Sequence, residues 1–499
     1  MTSDDQAPAG GSGSRVPAIL RAHPRAAAIT GGALALVLFG GGAVAAGAAT
    51  GRADAASVQP VASVSASTPA SPSASPRSSK SPSPKPTAAA RAVPSAIPSA
   101  SPLRTCSVAA AAADSRLGSF EGTVVDSATG ATLFDRNGQT PARTGSVMKT
   151  LTTATALSVL GPDYRFTTKV VGDKGDIALV GGGDATLSAT PVGAESLYTG
   201  APKLATLAAQ VKAKLGTTKL TSIDLDDTYW NDTDRWDPSW PRTEQTIGYQ
   251  PEVVALMVDG DRANPSLETS PRSTDPVGRA GDLFRKALVA AGVDGASNAP
   301  ITKGAAKSAT VLAQVQSQPV STLIGQMIPN SDNTLAEMLA RVSSKVSGKD
   351  GSAASLTSVY QAALAKTYGL NASAIKIVDG SGESANNGVP SAFEAQLMQK
   401  VLARSGSLGL LYDSLPVSGQ TGTLASRFTG ANAVARGAVH AKTGWIDSAY
   451  TLAGVIDAKD GTKLTFAFYA IGNVSGTARE ALDTLSTAVY SCGANLSNQ

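Results

Sequence analysis

Residues 433–471, AVARGAVHAKTGWIDSAYTLAGVIDAKDGTKLTFAFYAI, decide the fold. They divide into three strand-like runs, 433–445, 449–457 and 463–471, the last two joined by Lys459-Asp460-Gly461. A helix is expected directly after them, over about 477–491. Upstream, EGTVVDSATGATLFDRNG at 121–138 reads as a hairpin turning at Thr129-Gly130. A helix follows from about Ser146 to Leu160, with Val147, Leu151 and Ala154 on one face and Gly161-Pro162 as its stop. Another is expected to open near Ser331, burying Leu335, Met338, Leu339 and Val342. Hairpin, helices, antiparallel strands and a closing helix describe an α+β fold whose two ends return to one place.

The chain has 499 residues, more than one ordinary domain needs, and its 42% hydrophobic content suffices for a core. It holds two histidines, His23 and His440, and two cysteines, Cys106 and Cys492. A zinc site built from several histidines or four cysteines cannot be assembled from so few ligands. A Ser-His-Asp triad has only His440 to use, so hydrolytic chemistry otherwise needs a lysine or carboxylate base. The net charge of +4 divides into +1 over 1–25, +5 over 52–104 and −2 over 105–499. A mildly acidic body lacks the electrostatic footprint of a nucleic-acid binder, and that partner is excluded.

Residues 26–51 carry no charge and can cross a bilayer of about 30 Å. Arg15, Arg21 and Arg25 precede them, which makes 1–25 a cytoplasmic tail and exports the rest. The run is longer than an ordinary signal core, favouring a single-pass membrane anchor. The alternative is secretion after cleavage near Ala46-Gly47-Ala48 or Ala53-Asp54-Ala55. Residues 52–104 form a linker: 10 Pro and 14 Ser fall within 57–103, too little apolar surface to offset ordering entropy. Its basic residues suit either a solvated spacer or contact with anionic lipid or wall polymer. Cys106 and Cys492 stand at the two ends of the exported module, where a bridge between them is expected; two buried free thiols are the alternative.

Three short motifs carry the chemistry. Ser146-Val147-Met148-Lys149 opens a helix, so Lys149 shares a face with the Ser146 hydroxyl and can remove its proton. The helix N-terminus favours developing negative charge on that oxygen and helps hold a desolvated Lys149 neutral. Ser331-Asp332-Asn333 opens the second helix; its serine can relay a proton to a leaving amine, and its asparagine amide can donate to a substrate carbonyl. Lys442-Thr443-Gly444 lies on a strand, offering a charge, a hydroxyl and close backbone approach. Ser373-Ala374-Ile375-Lys376 and Ser384-Ala385-Asn386 repeat the first two patterns without a helix start. Order and context together mark the first set.

This ordered set is the signature of penicillin-recognising serine acyl-transfer enzymes. The chain further resembles the D-alanyl-D-alanine carboxypeptidase/endopeptidase family, the class C low-molecular-mass penicillin-binding proteins. The resemblance rests on GDIALVGGGDATL (175–187), DDTYW (226–230), YQPEVVALMVDG (249–260), SDNTLAEMLA (331–340), VDGSGES (378–384) and LPVSGQTGTLASRF (415–428). It implies a transpeptidase-like α+β fold, an antiparallel sheet flanked by helices, split into 105–165 and 310–499 around an inserted accessory region at 166–309. The insert is shorter than is usual in the family, so one of two nested accessory domains is expected to be reduced or missing. The resemblance also implies Ser146 as acylated nucleophile, Lys149 as its base, and Ser331, Asn333 and Lys442 as proton-shuttling and substrate-positioning groups. Thr443, Gly444 and Trp445 would bind substrate, with backbone N–H groups of Ser146 and Trp445 as oxyanion hole. The partners implied are peptidoglycan stem peptides and β-lactams as covalent inhibitors, with no cofactor and no metal. Trp445 stands where the family shows a small hydroxyl residue, which puts binding of the terminal carboxylate on Thr443 and Lys442; its ring either stacks on substrate or shields the cleft.

Weaker signals read as structure. Trp230, Trp236 and Trp240 suggest local packing before a glycan platform. The acidic DLDDTYWNDTDRWD at 224–237 has no calcium-loop frame. VGGGD at 180–184 lacks the Lys-Ser or Lys-Thr of a nucleotide loop, and His440 reads as a surface strand residue before a tuner of Lys442. Two rival functions remain at this level: a β-lactamase-like hydrolase, for which no glutamate occupies a recognisable loop, and a wall-binding scaffold that keeps the fold without the reaction.

Overall fold

The computed structural model of the protein describes residues 103–231 and 233–498. The expected tail (1–25), anchor (26–51) and all but the last two residues of the linker lie outside them; among the described residues no helix is long and apolar enough to cross a membrane. Strand β1 (Ser119–Asp126) pairs antiparallel with β2 (Thr132–Arg136), the expected hairpin. A tight turn, Gly145–Val147, then feeds helix α1 (Met148–Val159), whose first ten residues are all buried. A helix buried on every side belongs at the centre of a fold, and α1 packs between the helices that follow the insert, its buried Lys149 and threonines finding partners there.

The insert is a second sheet. It comprises β3 (Thr167–Asp173), β4 (Asp176–Val180), helix α2 (Leu204–Leu215), β5 (Ser222–Asp226), helix α3 (Pro276–Ala290), β6 (Ile301–Lys303) and β7 (Val311–Gln316). The strand order is β6–β5–β4–β3–β7. Strands β4, β5 and β6 run parallel, which requires crossovers, and α2 and α3 supply them. The return strand β7 pairs antiparallel with β3, so the sheet closes at Gln316 beside the point where the chain entered it. One continuous apolar cluster joins Met148 and Leu151 of α1 to Val170, Leu179 and Leu225 of this sheet. Insert and helical layer therefore share a core.

Helices α4 (Val320–Asn330), α5 (Asn333–Val346), α6 (Leu356–Tyr368) and α7 (Ser391–Leu402) follow. Strands β8 (Val439–Ile446), β9 (Ala449–Asp457) and β10 (Lys463–Ile471) form the antiparallel sheet read from the sequence, and α8 (Ala478–Cys492) closes the chain. The hairpin abuts the free edge of β10: Gly118 bridges Ile471, and the Ser127 N–H donates to the Lys463 carbonyl. Residues Ala449–Ile456 are buried without alternation because α7 and α8 both contact β9. The first strand-like run is shorter than expected. Gly430–Ala435 is a 3-10 turn, and the hydrogen bonds of this stretch go to the Ser418 loop, with the Gly437 N–H on the Ser418 carbonyl and the Ser418 hydroxyl on the Ala435 carbonyl.

Cys106 and Cys492 form a disulfide, 386 residues apart in sequence, and Cys106-Ser107 pairs with Leu496-Ser497 next to it. Closing so long a loop restricts the unfolded chain by roughly 5 kcal/mol in the chain-entropy account. The module's two ends thus meet, as the hairpin-to-closing-helix order implied.

Candidate active site

The turn at 145–147 places Ser146 two residues ahead of α1, and Lys149 lies one helical turn further on. Lys149 is fully buried, and its Nζ donates to Ser146 Oγ at 2.9 Å, to Asn333 Oδ1 at 2.7 Å and to the Ser381 carbonyl at 2.8 Å. Lys442, also fully buried, donates from Nζ to Ser331 Oγ at 2.9 Å and to the Thr443 carbonyl at 2.7 Å. The Thr443 hydroxyl donates to that of Thr423 at 2.8 Å. The five reactive side chains expected from the sequence thus come together as two pairs, Ser146–Lys149 and Ser331–Lys442, with Asn333 against Lys149. Of the repeated patterns, the first stays apart, since the Ser373 hydroxyl donates to Asn371 and Lys376 pairs through its backbone with Gly388; the second borders the site, with the Ser384 hydroxyl against that of Ser239.

Ser331 does not open a helix. It ends α4 with left-handed backbone angles (φ 58°, ψ 38°), and Asp332 caps α5 by accepting from the Leu335 N–H at 3.0 Å. The cap falls one residue after Ser331, because an aspartate that can cap stands beside a serine that can too. The left-handed break turns Ser331 towards β8 while Asn333 faces α1.

Strand β8 docks on the nucleophile turn. A Cβ added to Gly444 would meet the Thr144 carbonyl and lie 2.9 Å from the Ser146 amide nitrogen; one added to Gly145, at φ +49°, would lie 2.7 Å from the Trp445 nitrogen. Glycine at both places lets strand β8 lie close against the nucleophile turn, beside the backbone nitrogens of Ser146 and Trp445 that the family resemblance implies as oxyanion donors. Trp445 helps line a small open pocket beside the site, with Ser239, Glu244, Glu383 and Asp447 among its other walls.

Several site residues escaped the sequence reading. Glu383 accepts from Asn333 Nδ2 at 3.1 Å, placing a carboxylate against the second motif. The loop that offers the Ser381 carbonyl to Lys149 is clamped from two sides. Glu337 of α5 accepts from the N–H groups of Gly380 and Ser381, while Asp379 accepts from those of Gly382 and Ser384 and from Trp240 Nε1 at 2.8 Å. Burial, with the nearby Asp379 charge, pushes the Glu337 carboxyl up to about 7. VDGSGES carries two of these residues, yet nothing in its composition says which carbonyl a lysine will meet.

The tryptophans are mainly packing. Trp230 and Trp240 are buried, Trp236 meets Trp240 edge-on, and Arg242 lies 4.1 Å over the Trp236 ring. In the acidic stretch, Asp234 pairs with Arg341 and Asp237 accepts from Ser239. His440 stacks on Tyr412 and lies 4.0 Å from Asp457, and burial lowers its imidazole below the usual range.

Behind α1, Thr150 Oγ1 lies 2.8 Å from both the Val147 carbonyl and Glu394 Oε1. One hydroxyl hydrogen cannot serve two acceptors, so both contacts hold together only when the buried Glu394 carries a proton and donates it. Burial pushes Glu394 up to about 8, in agreement. Between the unfolded carboxyl value of about 4.3 and that folded value, the native state holds a proton the unfolded chain releases. Stability should therefore fall as pH rises from about 4.5 to about 8, with the full contribution present below that window. Urea midpoints measured across this range are expected to show a flatter decline for Glu394→Gln, whose amide donates at every pH; identical slopes would place the proton elsewhere.

The D-Ala-D-Ala carboxypeptidase 3 (S13) family model matches residues 105–273 and 263–489. Carboxypeptidase DacB of Mycolicibacterium smegmatis is 34% identical over 396 residues, 78% of this chain and 84% of that protein. A Mycobacterium tuberculosis carboxypeptidase is 33% identical over 397 residues with the same coverage. The crystal structure of penicillin binding protein 4 from Haemophilus influenzae superposes with a TM-score of 0.62 at 18% identity, covering 74% of this chain and 95% of that one, a likeness of fold.

Proposed function

The chain belongs to the D-Ala-D-Ala carboxypeptidase 3 (S13) family, and on that premise we propose that it is a serine-type D-alanyl-D-alanine carboxypeptidase acting on peptidoglycan stem peptides, endopeptidase cleavage being the same reaction on a cross-linked chain. The observation that carries this reading is Lys149 Nζ at 2.9 Å from Ser146 Oγ with Asn333 on its other side. In its neutral form Lys149 keeps its two N–H donors on Asn333 Oδ1 and the Ser381 carbonyl and turns its lone pair to Ser146 Oγ, taking that proton as Oγ attacks the penultimate D-Ala carbonyl carbon. The N–H groups of Ser146 and Trp445 hold the oxyanion. As the C–N bond breaks, the Ser331 hydroxyl passes a proton to the leaving amine, and Lys442, 2.9 Å behind it, restores the serine. Water then attacks the ester carbon and gives up a proton that restores Lys442, the C–Oγ bond breaks, Ser146 takes back the proton held on Lys149, and the product ends in a D-Ala carboxylate. Penicillins enter at the first step and remain attached.

The uncharged run 26–51, preceded by arginines, supports an exported catalytic unit held to the cell membrane through residues 26–51, with 52–104 as its tether. A rival, β-lactamase-like turnover, has one observation in its favour, the Glu383 carboxylate against Asn333; it requires β-lactam hydrolysis above about 1 s⁻¹, an ordinary enzyme rate. To test the main reading, purified protein is incubated with a stem pentapeptide ending in D-Ala-D-Ala. Release of one D-alanine per peptide, blocked by prior treatment with penicillin, is expected. Intact pentapeptide together with intact cross-linked dimer would overturn it.

A further inference from the structure

We propose that Arg262 and Tyr198, both on the inserted segment, are positioning residues for the acyl-transfer site: they hold Asp332, and through it the backbone that carries Ser331 and Asn333. The inference rests on the function proposed above and assigns the insert a part in it. Three consecutive side chains leave the α4–α5 junction in different directions. Ser331 meets Lys442, Asn333 meets Lys149, and Asp332 turns away into the insert.

There Asp332 Oδ2 accepts from Arg262 Nη2 at 2.8 Å and from Tyr198 Oη at 3.0 Å, while Arg262 Nη1 donates to Tyr198 Oη at 2.6 Å. The other oxygen, Oδ1, caps α5. Arg262, Asp332 and Tyr198 are all buried. The arginine itself is fixed from behind: its carbonyl accepts from Arg279 Nη2, and the preceding residues Asp259, Gly260 and Asp261 all adopt left-handed backbone angles. Arg272, also buried, ties that turn to α5, donating to the Gly260 carbonyl and to Thr334 Oγ1. Despite its burial, Asp332 is held below the usual carboxylate range by the charges of Arg262 and Arg272 and by its hydrogen bonds.

A buried ion pair is a poor device for stability alone, since an apolar pair of similar volume is often as good. Two aspartates in left-handed conformation add strain. What the arrangement supplies is direction: the planar guanidinium reaches one carboxylate oxygen directly through Nη2 and by way of the Tyr198 hydroxyl through Nη1, and the neighbours of that aspartate on either side are Ser331 and Asn333. Ser331, a non-glycine residue in left-handed conformation, needs such a grip to stay where Lys442 finds it.

The test measures the second-order rate of acylation by a fluorescent penicillin separately from the final amount of adduct, in the full chain. A residue with a merely structural role reduces the amount of competent protein; a positioning residue reduces the rate constant at full adduct. Arg262→Met is expected to lower the rate constant about a hundredfold, the scale of an ångström-sized misplacement, and Arg262→Lys, which keeps charge but loses the planar grip, about tenfold. In an Asp332→Asn background the further effect of Arg262→Lys should shrink to within about twofold, because both changes remove one interaction. If Arg262→Met fails to fold, Arg262→Lys and Tyr198→Phe decide the matter. Rate constants within about twofold of wild type for these two at full adduct, or strict additivity with Asp332→Asn, would overturn the proposal. Wild-type protein that forms no adduct would instead overturn the acyl-transfer reading beneath it, and this inference with it.

Discussion

Lys149→Met should lower the acylation rate by about 10²–10⁴, the range associated with a positioned general base. Methionine fills much of the same buried space but offers no nitrogen. Ser146 Oγ then has nothing at 2.9 Å to take its proton, and Asn333 Oδ1 and the Ser381 carbonyl lose a shared donor. Leaving buried acceptors unsatisfied costs about 1–3 kcal/mol each, so the variant should also melt earlier. Rapid-mixing kinetics with a chromogenic β-lactam separates the two effects, because folded variant still binds the ligand reversibly. An acylation rate within a few-fold of wild type would assign the base to another residue, and Lys442 through Ser331 would be the next to examine.

A single methyl group at Gly145 should do nearly as much harm without touching a reactive side chain. At φ +49° the position resists any residue with a Cβ, and the added carbon would sit 2.7 Å from the Trp445 nitrogen and 3.1 Å from the Gly444 carbonyl carbon. All the nearest atoms are backbone, so strand β8 must move off the nucleophile turn. That displaces the Trp445 N–H from where the oxyanion forms, and losing one such donor costs about 10²–10³ in rate. Gly145→Ala is accordingly expected to reduce acylation by that factor while Lys149 keeps its contact with Ser146. Measured rates for Ala and wild type that agree within about threefold would mean that the second oxyanion donor is not the Trp445 amide.

Both effects trace to a part of the molecule that local pattern could reveal. Serine and lysine three apart on a helix must share a face, and the hairpin, the β8–β10 runs and α8 follow from alternation, turn residues and length. The disulfide followed from export and from the positions of Cys106 and Cys492. What local pattern could not supply are partners chosen by tertiary approach. Ser331 looked like a helix start because Asp332 caps α5 one residue later. The stretch 433–438 looked like strand although its hydrogen bonds go to Ser418. Glu337, Asp379 and Glu383 are ordinary acidic residues in sequence, and only the return of the 378–384 loop to α5 brings them to the site. Arg262 lies 70 residues before Asp332, inside a turn whose left-handed angles at two aspartates no composition rule anticipates.

The most direct measurement is covalent labelling of the purified protein with a fluorescent penicillin, beside a Ser146→Ala variant of the same fold. One stable adduct per chain is expected, mapped by mass spectrometry to the peptide containing Ser146 and absent from the variant. Labelling that persists in Ser146→Ala, or well-folded wild-type protein that takes up no label, would contradict it.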